Sequence, residues 1–377
     1  MNDLALPTDH AALSVKLCDS HVPLDEILLR AFDLGTSDIC QPHQTKRPVP
    51  MYIIDTSAFA DNLPEPDGLW HVIDDVDKLC SEISNALYTT ASVSKKAPTQ
   101  SDAPVAQDAN ERWEYLLRHG DSKQIWRAIG WDGSFQNNHG AMQQPSDAEF
   151  CKHYEKLLNP EGMGVVDYEP RYHKYIPVLD DAILPGEVPD CVKSLKLNKS
   201  AGCDGVPPGV LKLLTDDWLC LLTVTFNLVF NNAYPSEWLV SKMFNIFKKG
   251  DRLSPDNYRG ISVLMCLPKL YDAILSQRLR SWYSPLYEQA GAQPKRGCEE
   301  QILTLRLLIE IARKCRNTLS IAFIDYAKAY DNVVRQKMLK FLDDKGCGTK
   351  FLQALKASYN GTLGQIGGDC FEICAGV

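Results

Sequence analysis

The chain has 377 residues, a formal net charge of −8 and a 45% share of hydrophobic residues, enough to bury a core in about two or three domains. Its longest apolar run, residues 219–230, is interrupted by polar side chains and is shorter than the roughly 20 residues of a membrane-spanning helix. The N-terminus lacks the basic and apolar regions of a secretory signal, which predicts an intracellular protein of the cytoplasm or nucleus, away from membranes.

Charge is unevenly distributed along the chain. Residues 240–360 contain 21 Lys and Arg against 11 Asp and Glu, a net charge of +10, whereas the remainder carries −18. A basic half joined to an acidic half is typical of a polyanion-binding module with a separate flanking region. A solvated basic face is the alternative explanation of the same count.

Cysteine and histidine restrict the possible chemistry. The 13 cysteines are scattered without a CxxC pair, which predicts free thiols in a reducing compartment rather than disulfides or a zinc site. All eight histidines precede residue 174. A Ser-His-Asp or Cys-His site lying wholly in the C-terminal half is therefore excluded.

The first 180 residues contain helical patterns separated by polar segments. Residues 1–17 predict a strand preceded by Asp9 and His10, a pair that could serve as a general base and its orienting carboxylate but is more often a turn. Residues 92–110 are rich in Ser, Ala, Pro and Gln and predict a flexible linker. Helical spacing is found in residues 24–34, 69–87, 111–130 and 148–158, the last with Phe150, Tyr154, Leu157 and Leu158 on its inner face.

The sequence changes character after residue 184. The loop NKSAGCDGVP, residues 198–207, combines Lys199 and Asp204 with two glycines, so its backbone could turn tightly near an anion. Gly-rich turns with a lysine are common, and the loop alone is a weak signal. Helical spacing predicts packed helices over residues 210–214, 219–230 and 267–279, the last ending with Arg278 and Arg280 near the negative end of its dipole.

Residues 247–262 predict a basic hairpin with a Gly-Asp turn. Lys248 and Lys249 precede the turn, and Arg259 lies on the returning strand. Such a hairpin could hold triphosphate oxygens, because arginine offers a bidentate fork to phosphate. An exposed hairpin with ordinary surface charge is the alternative.

A polar loop over residues 289–301 leads into another predicted helix and then into the stretch IAFIDYAKAYDNV, residues 321–333. Ile321 and Phe323 predict a short strand in a buried sheet that ends at Asp325, and Asp331 stands where the next helix should begin. A carboxylate at the end of a core strand suits Mg²⁺. The alternative is a turn in which Asp325 is merely solvated and Asp331 caps the helix. The helix before this stretch has its apolar stripe at Ile302, Leu305, Leu308, Ile309 and Ala312.

Four of these segments carry a resemblance to a known family. NKSAGCDGVP, FKKGDRLSPDNYRGISVL, QAGAQPKRGCEEQI and FIDYAKAYDNV occur in the order and spacing of the reverse transcriptase domain of non-LTR (LINE-type) retrotransposons. The resemblance implies an α+β fold, an incomplete right-hand polymerase with fingers and the front part of the palm over residues 181–377. Residues 18–180 resemble the mostly helical connecting region, and residues 1–17 resemble the last strand of the preceding endonuclease.

The same resemblance implies RNA-directed DNA synthesis. In that reaction a DNA primer attacks a dNTP opposite an RNA template, assisted by two Mg²⁺ ions. By resemblance, Asp325 is the first catalytic and metal-binding residue and Tyr326 supplies a backbone carbonyl to the metal. Tyr330 matches the side chain that stacks under the sugar and excludes a 2′-hydroxyl. The fingers residues that grip the triphosphate are matched by Arg259 together with Lys248 or Lys249.

The sequence also departs from this family. Ala292 stands where an aromatic residue is usual, and the family continues past residue 377 into a strand with an adjacent pair of aspartates. We therefore expect a polymerase fragment, from a truncated gene or a decayed element, that is inactive alone. The alternative is a non-catalytic RNA-binding or interaction protein that uses the basic half. A phosphotransferase with Asp325 as nucleophile would need an acid two residues on, where Ala327 stands.

Overall fold

The computed structural model describes residues 45–96 and 144–376, except residues 163, 165, 172, 232 and 233. The predicted N-terminal strand with Asp9 and His10 lies outside the described residues. So do the helical patterns at 24–34 and 111–130 and most of the predicted linker at 92–110.

Helices dominate the described part of the chain. They are α1 (Thr56–Asn62), α2 (Val76–Val93), α3 (Asp147–Leu158), α4 (Pro177–Asp180), α5 (Glu187–Ser194), α6 (Asp216–Asn231), α7 (Cys266–Trp282), α8 (Cys298–Lys314), α9 (Arg335–Asp344) and α10 (Thr349–Tyr359). Short 3₁₀ helices lie at Met51–Ile53, Pro66–Val72, Pro208–Leu213, Ser236–Leu239 and Pro255–Asn257. The predicted α+β class is confirmed, because these helices surround a small mixed sheet.

The sheet has the strand order β2-β1-β3-β4. Its strands are β1 (Val240–Phe247), β2 (Tyr258–Val263), β3 (Leu363–Ile366) and β4 (Asp369–Glu372). Strand β1 pairs antiparallel with β2 and parallel with β3, while β3 and β4 form a second antiparallel pair. The predicted hairpin is thus confirmed as β1–β2. The predicted Gly-Asp turn is wrong, because the connection spans residues 248–257 and is closed by the Asn257 side chain, which donates to the Asp251 carbonyl at 2.9 Å.

The main core is formed largely by the helices. Helix α6 is apolar on nearly every face and is buried almost throughout, as expected of a helix surrounded by others. Its polar residue Asn227 is satisfied there, since its side chain both accepts from Ile183 N and donates to Ile183 O, each at 2.7 Å. Large side chains of this core with no solvent exposure include Leu79, Ile83, Phe226, Tyr271, Ile274 and Phe351.

A second, smaller core joins α3 to the sheet. Phe150 and Tyr154 are buried as predicted, and they pack with Met243, Tyr258 and Phe371 from three strands. The helix begins with a reciprocal capping box between Ser146 and Glu149, which satisfies two otherwise free backbone donors. Leu158 is also buried, whereas Leu157 is only half-buried.

Arg278 does not act as a surface cation at a helix end. Helix α7 continues to Trp282, so Arg278 lies before the last turn, with a buried side chain that is 6% exposed. Its Nε donates to Glu187 at 2.7 Å, and its terminal nitrogens donate to the carbonyls of Leu179, Asp181 and Ala182. A buried guanidinium must have such partners, because an unpaired buried charge is costly.

Candidate active site

A cavity of about 1030 Å³ opens between the sheet, α3, α7 and the turn that precedes α9. Its wall contains five of the six side chains predicted for the site: Lys248, Arg259, Asp325, Tyr326 and Tyr330. The sixth, Lys249, is exposed and is not part of the wall. The fold therefore brings the hairpin residues and the Asp325 segment to one place, although the two are distant in sequence.

The predicted strand at Ile321 and Phe323 is wrong. Residues 321–326 have no regular secondary structure, and Phe323 and Ile324 are 85% and 81% exposed. A strand is stable only when its backbone groups pair with a neighbour, and within the described residues no strand pairs with this segment. Asp325 is therefore presented on an exposed segment rather than at the end of a core strand.

Asp331 does not cap the next helix, and that prediction is also wrong. Helix α9 begins at Arg335, its N-cap position is Val334, and no side chain bonds to its first turn. Residue 333 is held outside the helix because its carbonyl accepts from Gly376 N at 2.9 Å. The apolar residues Met338 and Leu342 of α9 are buried, and Phe341 is half-buried.

The turn over residues 327–332 connects the Asp325 segment to the hairpin. Asn332 closes it, with its amide nitrogen 3.0 Å from the Lys328 carbonyl and its side chain donating to the Ala327 carbonyl at 2.9 Å. The Lys328 ammonium lies 3.5 Å from the carboxylate of Asp256, in the loop before β2. Since both side chains are partly exposed, this ion pair adds little stability, but it is a direct contact between the turn and the hairpin loop.

Arg335 also lines the cavity and stabilises the backbone around it. Its buried guanidinium donates to the carbonyls of Gly376, Tyr359 and Ile373 at 2.6 to 2.9 Å and to the Thr362 hydroxyl at 2.8 Å. Burial lowers the pKa of Arg335. Because these donors are already used within the protein, Arg335 has a structural role at the cavity.

The loop at residues 198–207 does not reach the cavity. Asp204 is buried, and its carboxylate accepts from the backbone nitrogens of Cys266 at 3.0 Å and Val206 at 3.2 Å. Burial raises the pKa of Asp204, and these hydrogen bonds oppose the shift. A Cβ at Gly202 would lie 2.6 Å from Met265 N, so the glycine permits close contact with the start of α7. The loop therefore anchors a helix.

Helix α8 is present as predicted, but its apolar stripe is uncovered. None of its side chains is buried, and Ile302 and Ile311 are 62% and 57% exposed. The preceding loop places Ala292 at a φ of 58°, in the left-handed region that a residue with a Cβ rarely adopts. Neither the loop nor the helix lines the cavity.

Comparison with known proteins now identifies part of the chain. The family described as Reverse transcriptase (RNA-dependent DNA polymerase) matches residues 246–369, which include the hairpin loop, Arg259 and the Asp325 segment. Those residues are part of a reverse transcriptase domain. Similar full-length proteins include a probable RNA-directed DNA polymerase from transposon BS of Drosophila melanogaster, 29% identical over 39% of this chain and 17% of that protein.

Two further relatives extend the reverse transcriptase likeness to other animals. A Pol polyprotein from the type-1 retrotransposable element R2 of Bradysia coprophila is 28% identical over 48% of this chain and 21% of its own length. The transposon TX1 uncharacterized 149 kDa protein of Xenopus laevis is 24% identical over 67% of this chain and 20% of its own length. The chain thus spans about a fifth of the length of these curated relatives. Its likeness is to the RNA-directed DNA polymerases of non-LTR retrotransposons.

The cavity wall also contains residues that the sequence did not identify as part of a site. Asp272 stands among apolar residues of α7, a usable sequence signal, and burial raises its pKa to about 7. Burial, together with the charge of Asp272, raises the pKa of Tyr359 to about 12. Lys328 has no distinctive sequence context. His153 and Tyr154 reach the cavity from α3, far upstream, and only the packing of α3 on the sheet reveals them.

The donor atoms at the cavity are consistent with a weakly held Mg²⁺. Mg²⁺ keeps several waters and often binds through one or two carboxylates plus substrate phosphates, so the Asp325 carboxylate and the Tyr326 carbonyl are a suitable partial set. Within residues 45–96 and 144–376, however, no group of three or more His, Cys, Asp or Glu side chains could enclose an ion. The same described part contains no helix long and apolar enough to cross a bilayer.

Proposed function

We propose that residues 181–377 are the fingers and the front part of the palm of an RNA-directed DNA polymerase, an incomplete right hand, and that the cavity is its nucleotide site. One observation carries this proposal: Arg259 and Lys248 of the hairpin line the same cavity as Asp325, Tyr326 and Tyr330. Cationic donors opposite a carboxylate are what a Mg²⁺-bound nucleotide requires, since phosphate and metal carry opposite charges.

Each side chain then has a distinct task. Arg259 and Lys248 bind the triphosphate of a dNTP, and Lys328 adds positive charge beside them. The Asp325 carboxylate and the Tyr326 carbonyl would hold Mg²⁺, which when bound neutralises charge on the reacting phosphate. The ring of Tyr330, 55% exposed, stands free to support the sugar and to exclude a 2′-hydroxyl.

The structure favours Lys248 over Lys249 for the phosphate contact. Both lysines are exposed and adjacent, but only Lys248 lines the cavity. Lys249 instead adds to the +10 charge of residues 240–360, the surface we assign to the phosphates of the RNA template and the DNA primer. These two lysines therefore form a matched pair for testing the site.

We infer that the chain binds nucleotide and RNA without extending a primer. Asp325 has no partner carboxylates arranged around an ion within the described residues, and two-metal chemistry requires such partners. The second candidate function, a non-catalytic RNA-binding protein, is favoured by this same observation together with the basic charge of residues 240–360.

Primer extension and nucleotide binding together test the proposal. On a poly-rA/oligo-dT template the purified chain should incorporate no dNTP; robust Mg²⁺-dependent incorporation that Asp325→Ala abolishes would disprove the inactivity. Binding of a dNTP should weaken about tenfold with Arg259→Ala or Lys248→Ala, and less than twofold with Lys249→Ala. Equal effects of Lys248→Ala and Lys249→Ala would show that the cavity is not the nucleotide site.

RNA affinity separates the two candidate functions. If residues 240–360 contact RNA, reversing the charge of Lys248, Lys249 and Arg259 should flatten the dependence of affinity on salt. An unchanged salt slope with intact binding would place the RNA surface elsewhere. RNA binding that survives while dNTP binding is absent would favour the non-catalytic function.

A further inference from the structure

Helix α3 precedes the residues that match the reverse transcriptase family, 246–369, yet it forms one side of the cavity. Two of its cavity-lining side chains carry hydrogen-bonding groups, His153 and Tyr154. The helix is firmly seated, because its apolar face is part of the small core that covers the sheet. The nucleotide site proposed above therefore includes polar groups that lie outside the matched domain.

Tyr154 is fixed directly against the strand that carries Arg259. Its side chain is 3% exposed, and its ring is parallel to that of Phe371 with the centroids 6.5 Å apart. A Cβ at Gly260 would lie 2.9 Å from the Tyr154 ring, so the ring lies against the backbone next to Arg259. The Tyr154 hydroxyl is buried without a hydrogen-bond partner among the described residues, which is uncommon for a buried polar group.

His153 lies at the cavity wall between charges of both signs. Burial lowers the pKa of its imidazole; Lys328 and Lys248 lower it further, and Asp256 and Asp331 oppose the shift. The imidazole is therefore mostly neutral near neutral pH and can donate one hydrogen bond. Other charged groups on α3 and on β4, against which it packs, are Asp147, Glu149, Lys152, Glu155, Lys156, Asp369 and Glu372.

We propose that His153 is a third phosphate-binding group of the nucleotide site, which donates a hydrogen bond to a polyphosphate held by Lys248 and Arg259. The inference rests on the function proposed above and adds a residue from the upstream helix to it. A polyphosphate supplies oxygen acceptors and several negative charges, which suit a wall that contains Lys248, Lys328 and Arg259 beside the imidazole. Tyr154 is then a positioning residue, because its ring supports the strand of Arg259.

The test measures the pKa of His153 in the full 377-residue chain, by NMR of its imidazole, with and without inorganic triphosphate and in the absence of Mg²⁺. Negative charge beside the ring favours its protonated form, so the pKa should rise by about one unit when triphosphate binds. By linkage, triphosphate should then bind about tenfold more tightly below the pKa of His153 than above it. A pKa that does not change at saturating triphosphate overturns the inference.

Matched variants separate this inference from the proposed function. His153→Gln should weaken triphosphate binding about tenfold, whereas Lys152→Gln, which removes a full charge from the adjacent exposed residue, should change it less than twofold. If Arg259→Ala weakens binding but His153→Gln does not, His153 does not bind the triphosphate, whereas the proposed contact of Arg259 with it is retained. If neither variant weakens binding, both proposals fail. If the pKa of His153 rises with an RNA oligonucleotide but not with triphosphate, the inference is also overturned. If His153→Gln does not fold, the pKa of His153 in the unmodified chain decides.

Discussion

The β1–β2 hairpin and the segment that carries Asp325 line one cavity, but the fold holds them in different ways. The hairpin is paired on both sides of β1 and covered by α3, and its Tyr258 is buried. The Asp325 segment has no strand partner within the described residues and exposes Phe323. A site residue can thus be held either by a strand with its own packed core or by a segment that depends on a single turn. The packed strand resists local unfolding better, because more buried contacts must be broken to open it.

The largest expected effect comes from removing a phenylalanine of α3 that covers the hairpin and, for comparison, one from the Asp325 segment. Phe150→Ala deletes a buried ring between α3 and the sheet and should lower the free energy of unfolding by about 3–5 kcal/mol. Phe323→Ala makes the same chemical change on an exposed ring and should stay within about 0.5 kcal/mol. Urea unfolding followed by circular dichroism measures both. Equal losses would mean that the Asp325 segment is packed as well as the hairpin is.

This contrast explains what the sequence could predict of the fold. The hairpin, α3, α7 and α9 were predictable because their signals are local, such as alternation, helical spacing and inward apolar residues. The strand at Ile321 and Phe323 was predicted from an apolar run alone. Such a run forms a strand only if a neighbour pairs with it, and pairing is a long-range property that no local pattern contains.

The site shows the same division. Arg259, Lys248 and Asp325 could be predicted as site residues because each belongs to a motif, and all three line one cavity; their roles stay predictions. The sequence could not decide between Lys248 and Lys249, because the loop conformation determines which of two adjacent side chains lines the cavity. His153 was missed because its proximity to the site results from the packing of α3 on the sheet.

A glycine pair tests how tightly the hairpin is covered. Gly260→Ala would place a methyl group within 3 Å of Met243 and of the Tyr154 ring, and overpacking of this kind costs up to about 3 kcal/mol. Gly291→Ala is the matched control, because its nearest neighbour is 3.5 Å away in an exposed loop, and its stability should change little. Thermal unfolding compares the two. A neutral Gly260→Ala would show that α3 can move away from the strand of Arg259.

The pH dependence of stability tests the burial of Asp272, the α7 residue that lines the cavity between the two regions. Burial raises the pKa of Asp272 to about 7, so the folded protein keeps this proton while the unfolded chain releases it near pH 4. Stability should therefore fall as pH rises from about 4 to 7. Asp272→Asn removes this titration and should reduce the loss, on the order of 1–2 kcal/mol, in urea unfolding at pH 5 and pH 8. An identical pH profile in the variant would show that the carboxyl is solvated.

The smallest expected effect separates the starts of two helices that contribute to the cavity, α3 and α9. Ser146 caps α3 through a hydrogen bond from Glu149 N at 3.3 Å, and Ser146→Ala should cost about 1 kcal/mol. Asp331 was predicted to cap α9 but makes no such bond, so Asp331→Ala should change stability by less than about 0.5 kcal/mol. Chemical unfolding of both variants under identical conditions gives the comparison. A loss of 1 kcal/mol with Asp331→Ala would mean that α9 begins earlier in solution. The turn that contains Lys328 and Tyr330 would then be fixed by a helix cap, as the start of α3 is.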